Sequence, residues 1–140
     1  MISDLSLNSL IDVARNVTGV RPNNSYGGFQ SFYIRGFNTF VVVTDGIRDE
    51  RHNLYASAPN TTLASIESIE ILKGAASVMY GHSALGGVIS LVHKQPTSVP
   101  RVNAQMSIGS WGRYSIQGGA GGNIARGVNF RTDFSMSGGE

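Results

Sequence analysis

The sequence predicts an α+β fold, a small mixed sheet with short helices, followed by antiparallel β-strands. Three observations carry this. Residues 66–96, IESIEILKGAASVMYGHSALGGVISLVHKQP, hold two apolar strand-like runs, 68–72 and 88–92. Gly74, Gly81, Gly86 and Gly87 punctuate the loop between them around one helical turn, 75–80. Glycine at this density means a backbone that reaches φ > 0, or passes close to another backbone, at fixed points. Near the start, Leu7, Leu10, Ile11, Ala14 and Val17 recur at helical spacing. After Pro100, apolar and polar residues alternate in segments of about ten.

Composition agrees. Gly makes up 18 of 140 residues, nearly twice the usual ~7%, and charged residues only 14%, which suits strands and turns better than a helical bundle. Cys is absent, which removes disulfides and thiolate metal sites. Lys and Arg exceed Asp and Glu by 11 to 9, without the basic cluster and interleaved aromatics that nucleic-acid binding needs. No apolar run approaches the ~18 residues of a membrane-spanning helix. The N-terminus, MISDL, lacks the basic and apolar regions of a secretion signal, and the chain is expected to begin inside a longer reading frame.

The first helix is predicted to be capped by Ser6 or Asn8, with Gly19 at its C-terminal side. Residues 21–28, RPNNSYGG, read as a loop, and 29–35 as a strand ending in Ile34-Arg35-Gly36-Phe37. Val41, Val42, Val43 and Thr44 followed by Asp45-Gly46 and Ile47-Arg48 signal a hairpin, with Asp-Gly supplying both φ > 0 positions of a type I′ turn. A second long polar loop, residues 48–62, carries Arg51, His52 and Tyr55, and loops on a rigid scaffold are where binding residues concentrate. Asp45, Asp49, Glu50 and His52 fit no metal-ligand spacing.

Gly81-His82-Ser83-Ala84-Leu85 approximates a hydrolase nucleophile elbow, but Leu85 stands where the second glycine belongs. His93 is the one later histidine, and it sits in the next strand. No catalytic residue is assigned. Past Pro100, Val102, Ala104, Met106 and Ile108 alternate with polar neighbours, as do Tyr114, Ile116 and Ala120, and then Val128, Phe130, Thr132, Phe134 and Met136. Residues 123–127, after a glycine-rich stretch, are expected to turn the chain. Such dyads fit outer-membrane barrel strands and equally a sheet packed on a soluble core.

Taken together, IExIEILKG, ASxxYG, GGVISLVxK, Ile-Arg-Gly-Phe and Asp-Gly-Ile resemble the plug domain of TonB-dependent outer-membrane receptors of the siderophore type. Two departures are Ala75, where the family often has Pro, and Ser90, where it often has Asn. The resemblance implies a plug over residues 1–98 and the first strands of a transmembrane β-barrel over 99–140, from a parent of about twenty-two strands. Three strands alone cannot close a barrel. It implies ferric siderophore uptake across the bacterial outer membrane, with the plug gating the lumen, outer-membrane lipid around the wall, and a TonB complex as energy source. The TonB box is expected ahead of residue 1. Iron would arrive inside its chelate, so neither a cofactor nor a protein metal ligand is expected. By analogy, ligand-facing loops match 21–28, 38–40 and 51–55, with Tyr26, Phe40, Arg51 and Tyr55 as contacts through ring stacking and charge. Arg35 is expected to be structural. The competing reading is a soluble α/β hydrolase-like or interaction domain without a transport role.

Overall fold

The computed structural model describes residues 9–24, 29–49, 58–59, 63–74, 76–81 and 84–139. It forms two compact units, Met1–His93 and Lys94–Glu140.

The first unit opens on helix α1 (Leu10–Arg15). Its N-cap is Ser9, not the expected Ser6 or Asn8. The Ser9 hydroxyl accepts the Asp12 backbone N–H at 3.3 Å, and the Asp12 carboxylate accepts the Ser9 N–H at 3.2 Å. This reciprocal box satisfies two of the amide donors that a helix start leaves without partners. Asn16 is the C-cap, so Gly19, at φ +80°, does not end the helix. It turns the chain into β1 (Val20–Asn24) instead.

That strand corrects the expected loop over its first four residues, 21–24, while 25–28 lie outside the described residues. β1 pairs antiparallel with β2 (Phe29–Ile34), Pro22 standing opposite Phe32. Pro is tolerated because β1 is the edge of a three-stranded sheet, β1-β2-β5, where one side of the strand has no ladder to serve. β5 (Ala58–Pro59) is the other edge.

The second sheet has the order β4-β3-β7-β6, formed by β3 (Phe40–Thr44), β4 (Ile47–Arg48), β6 (Ile66–Lys73) and β7 (Gly87–His93). Asp45 at φ 50° and Gly46 at φ 83° form the predicted type I′ turn between β3 and β4. β3 and β7 run parallel at the centre, and the other two pairings are antiparallel. The continuous apolar run in β3 follows from burial on both faces. Val42, Ile89 and Leu91 join Leu10, Val13 and Ala14 of α1 with Phe32, Ile34 and Phe40. Val41, Val43 and Val88 pack with Ala76 and Ala84. A one-turn helix, α2 (Ser77–Tyr80), lies in the glycine-punctuated connection.

Gly87 sets the approach of β6 to β7. A Cβ there would collide with the Leu72 carbonyl, and the backbone sits at φ +152°. Gly86 is equally confined, since an added Cβ would lie 2.7 Å from the Thr39 carbonyl oxygen, the acceptor of its own N–H.

The second unit is a three-stranded antiparallel sheet, β10-β9-β8, from β8 (Arg101–Ile108), β9 (Tyr114–Ala125) and β10 (Val128–Gly138). Contrary to expectation, the glycine-rich residues lie inside β9 and the strand runs on to Ala125. Their partners explain this. Phe134 pairs with Gly118 and its ring occupies the space a Cβ would need, 2.5 Å away, while Asp133 does the same at Gly119. Glycine here makes room for large cross-strand side chains, and the turn shrinks to Arg126-Gly127, Gly127 at φ +80°.

Candidate functional site

The first unit brings several polar anchors onto its second sheet. The Asp45 Oδ1 accepts the His93 backbone N–H at 2.9 Å, and Oδ2 stands 2.7 Å from His93 Nδ1. These bonds favour the ionised carboxyl, the backbone N–H first and the imidazole second, and hold Asp45 below the usual carboxylate range. The hairpin turn is thereby tied to the end of β7.

Arg48 on β4 donates Nη1–H to the Tyr80 carbonyl at 2.8 Å, and so anchors the C-terminal end of α2. Lys73, at the end of β6, donates to the Thr18 carbonyl at 2.6 Å. Arg35 takes the left-handed conformation (φ 52°) and its N–H reaches the Gly19 carbonyl at 2.9 Å. The Asp45, Arg48 and Lys73 bonds tie the β3–β4 turn, the end of α2 and Thr18 to the second sheet, while the Arg35 bond closes the end of the first.

A depression of about 440 Å³ in this unit is lined by Leu72, Lys73, Gly74, Ala76, Val78 and Met79. Among the described residues that line it, Lys73 is the one charged side chain, and these residues offer no convergent set of donors for a polar chelate.

The predicted contacts separate. Phe40 is a core residue, 2% exposed, with its ring edge-on to Phe32 at 5.5 Å between centroids. The neighbouring Asn38 is exposed, but the Phe40 ring itself has no free face for a ligand. The continuous apolar run Phe40–Val43 is the sequence signal of this burial, a strand covered on both faces. Tyr26, Arg51 and Tyr55 lie outside the described residues, as do Glu50, His52, His82 and Ser83.

For the hydrolase reading, Ser83 lies outside the described residues, and His93 ends β7. His93 Nδ1 faces Asp45 from the far end of the strand.

In the second unit one face of the sheet is wholly polar. Arg131 grips Asp133 through Nε and Nη2 at 2.8 and 2.9 Å, and Lys94 Nζ lies 3.8 Å from the same carboxylate. Asn123 donates to Asn129 at 2.9 Å across the β9–β10 pair.

The family model of the TonB-dependent Receptor Plug Domain matches residues 1–88. The chain belongs to this family. Among curated proteins it is similar to the Ferripyoverdine receptor of Pseudomonas aeruginosa, with 30% identity over 132 residues, 93% of this chain and 16% of that protein. It is also similar to the Metal-pseudopaline receptor CntO of the same species, with 41% identity over 96 residues, 69% of this chain and 13% of that one. Among solved structures, that of the ferripyoverdine receptor of the outer membrane of Pseudomonas aeruginosa bound to ferripyoverdine matches with a TM-score of 0.84 at 26% identity. The match covers 97% of this chain and 19% of that one. It thus extends through both units, a plug followed by barrel strands. This plug-bearing chain spans 13% to 16% of the length of these two curated relatives.

Proposed function

We propose that this chain is the plug and first barrel strands of an outer-membrane receptor that takes up ferric siderophores with energy from a TonB complex. Its role is transport without chemical turnover. The observation that carries this reading is the plug fold of the first unit, a double-faced buried sheet braced at its ends by Asp45–His93, Arg48–Tyr80 and Lys73–Thr18. Such a body occludes a lumen and presents loops to one side. The names of the relatives, a ferripyoverdine and a metal-pseudopaline receptor, support a metal chelate as the cargo.

Within the loops, Tyr26, Arg51 and Tyr55 are the contacts, two rings for stacking and one cation for an anionic chelate. The core position of Phe40 removes it from this set. The test is equilibrium titration of purified receptor with a panel of ferric siderophores, comparing the parent with Tyr26→Ala, Arg51→Ala and Tyr55→Ala. Weaker binding by about tenfold per contact is expected, the scale of one aromatic or charged anchor. Unchanged affinity in all three would remove the assignment, and absence of binding to any ferric chelate would remove the function.

A further inference from the structure

We propose that residues 94–100 form a strap across the polar face of the second unit's sheet, with Lys94 and Asp133 as its catch. The segment belongs to no helix or strand, yet it follows a definite course. Lys94 Nζ lies 3.8 Å from Asp133 Oδ1 on β10. Three residues on, Thr97 Cγ2 stands 3.7 Å from the point a Cβ on Gly121 of β9 would occupy. The chain then enters β8 at Arg101. It thus passes over the strands in their spatial order, β10-β9-β8. Lys94 and Thr97 are half-buried, whereas Gln95, Pro96 and Ser98 are exposed, as a segment lying on a surface requires.

The sheet is shaped to receive it. Alternation places Gly119 and Gly121 of β9 on the face that carries Arg131 and Asp133, their cross-strand partners. Both glycines are buried. A Cβ at Gly119 would strike the Asp133 carboxylate, which leans over it, and Asn103 Oδ1 stands 3.1 Å from the same point. The missing side chains leave room above β9 for the Asp133 carboxylate and for Thr97.

The catch is preset on both sides. Arg131 holds Asp133 through two bonds, at 2.8 and 2.9 Å, and only 8% of the Asp133 side chain is exposed. A carboxylate fixed in place and largely shielded from water is screened less than a surface one and costs less entropy to engage. On the strap, Pro96 and Pro100 restrict the backbone, and the Thr97 hydroxyl accepts the Val99 N–H at 3.2 Å. Little freedom remains to be lost on closing.

One consequence rests on the transport reading above. The strap sets the slack of the chain that leaves the first unit. Closed, the chain is fixed to the second unit from Lys94 onward. Open, residues 95–100 are released and add up to about 20 Å of reach.

The chain has no cysteine, so introduced pairs report the course of the strap without background. In the 140-residue chain, Thr97→Cys with Gly121→Cys should form a disulfide under mild oxidation at least about tenfold faster than Ser98→Cys with Gly121→Cys, whose sulfurs start apart. Adding Lys94→Gln should slow the first pair about fivefold, the scale of one ion pair, while Lys94→Arg should keep its rate. Amide exchange needs no substitution in β9 and gives a second measurement. Exchange at residues 97–99 should quicken about fivefold in Lys94→Gln, with β8–β10 unchanged. Equal disulfide rates for the two pairs, or exchange at 97–99 indifferent to Lys94→Gln, would overturn the proposal. Faster exchange throughout the sheet would make Lys94 a general stabiliser and overturn its role as catch. No chelate enters these measurements, so their failure leaves the transport reading to its own titration.

Discussion

The Asp45 carboxylate joins the β3–β4 turn to His93, the last residue of β7, through a 2.9 Å bond from the backbone N–H and a 2.7 Å contact to Nδ1. Asp45 occupies the left-handed first position of the type I′ turn, so one residue both shapes the hairpin and fastens it. The fastening has a defined pH dependence. Its folded-state pKa lies below the ordinary 3.8. The ionised carboxyl therefore stabilises the fold above that value, and the contribution fades as pH falls through the lower folded value. Asp45→Asn, which keeps a residue tolerant of the left-handed region, should lower the thermal midpoint at pH 7. The gap from the parent should hold down to about pH 4 and close on further acidification, as thermal melts across pH would record.

Gly87→Ala is expected to be among the most damaging small substitutions. The added Cβ meets the Leu72 carbonyl, a backbone atom that cannot step aside without parting β6 from β7. A loss of about 3 kcal/mol is expected in denaturant unfolding, at the upper end for overpacking. Gly46→Ala, where nothing lies within 4 Å of the new atom, should cost about 1 kcal/mol through its positive φ alone.

Phe40→Ala should cost about 4 kcal/mol, the usual range for emptying a buried aromatic site, because the ring is 2% exposed and stacks edge-on with Phe32. Phe40→Leu should recover most of that stability. In the receptor it should leave ferric-chelate affinity unchanged, since a core side chain touches no ligand. Paired unfolding and binding measurements on the two variants separate packing from recognition.

Gly118→Val should disrupt the second unit. The Phe134 ring fills the space an added Cβ at Gly118 would need, 2.5 Å away. Loss of sheet signal in circular dichroism is expected for Gly118→Val, and partial recovery for Gly118→Val combined with Phe134→Ala.

How far this was legible in the sequence depended on whether the signal was local. The Asp45-Gly46 turn, the α1 stripe, and the β6 and β7 runs were readable because each rests on residues close in sequence. The strand nature of Val20–Asn24 was not, because its cause is pairing with β2, and Pro22 with two Asn outweighs that in any local reading. The β9 glycines misled for the same reason. Gly118 and Gly119 answer to Phe134 and Asp133, some fifteen residues away, and not to a turn. At the site, the resemblance assigns Phe40 to a ligand-facing loop over 38–40, whereas its burial follows from both sheets sharing one core. The family-bearing motifs were legible in full, since their glycines stand at left-handed turns such as Gly36 and Gly46 or, at Gly86 and Gly87, where backbone meets backbone.

The central claim is that this chain is a receptor plug with the start of its barrel, made for ferric-chelate import. The most direct measurement replaces the matching stretch of the Pseudomonas aeruginosa ferripyoverdine receptor with this chain, in a strain lacking that receptor, and follows growth on ferripyoverdine as the sole iron source. The account predicts that the chimera assembles in the outer membrane and restores TonB-dependent growth. A chimera that assembles normally yet imports no ferric chelate would contradict it.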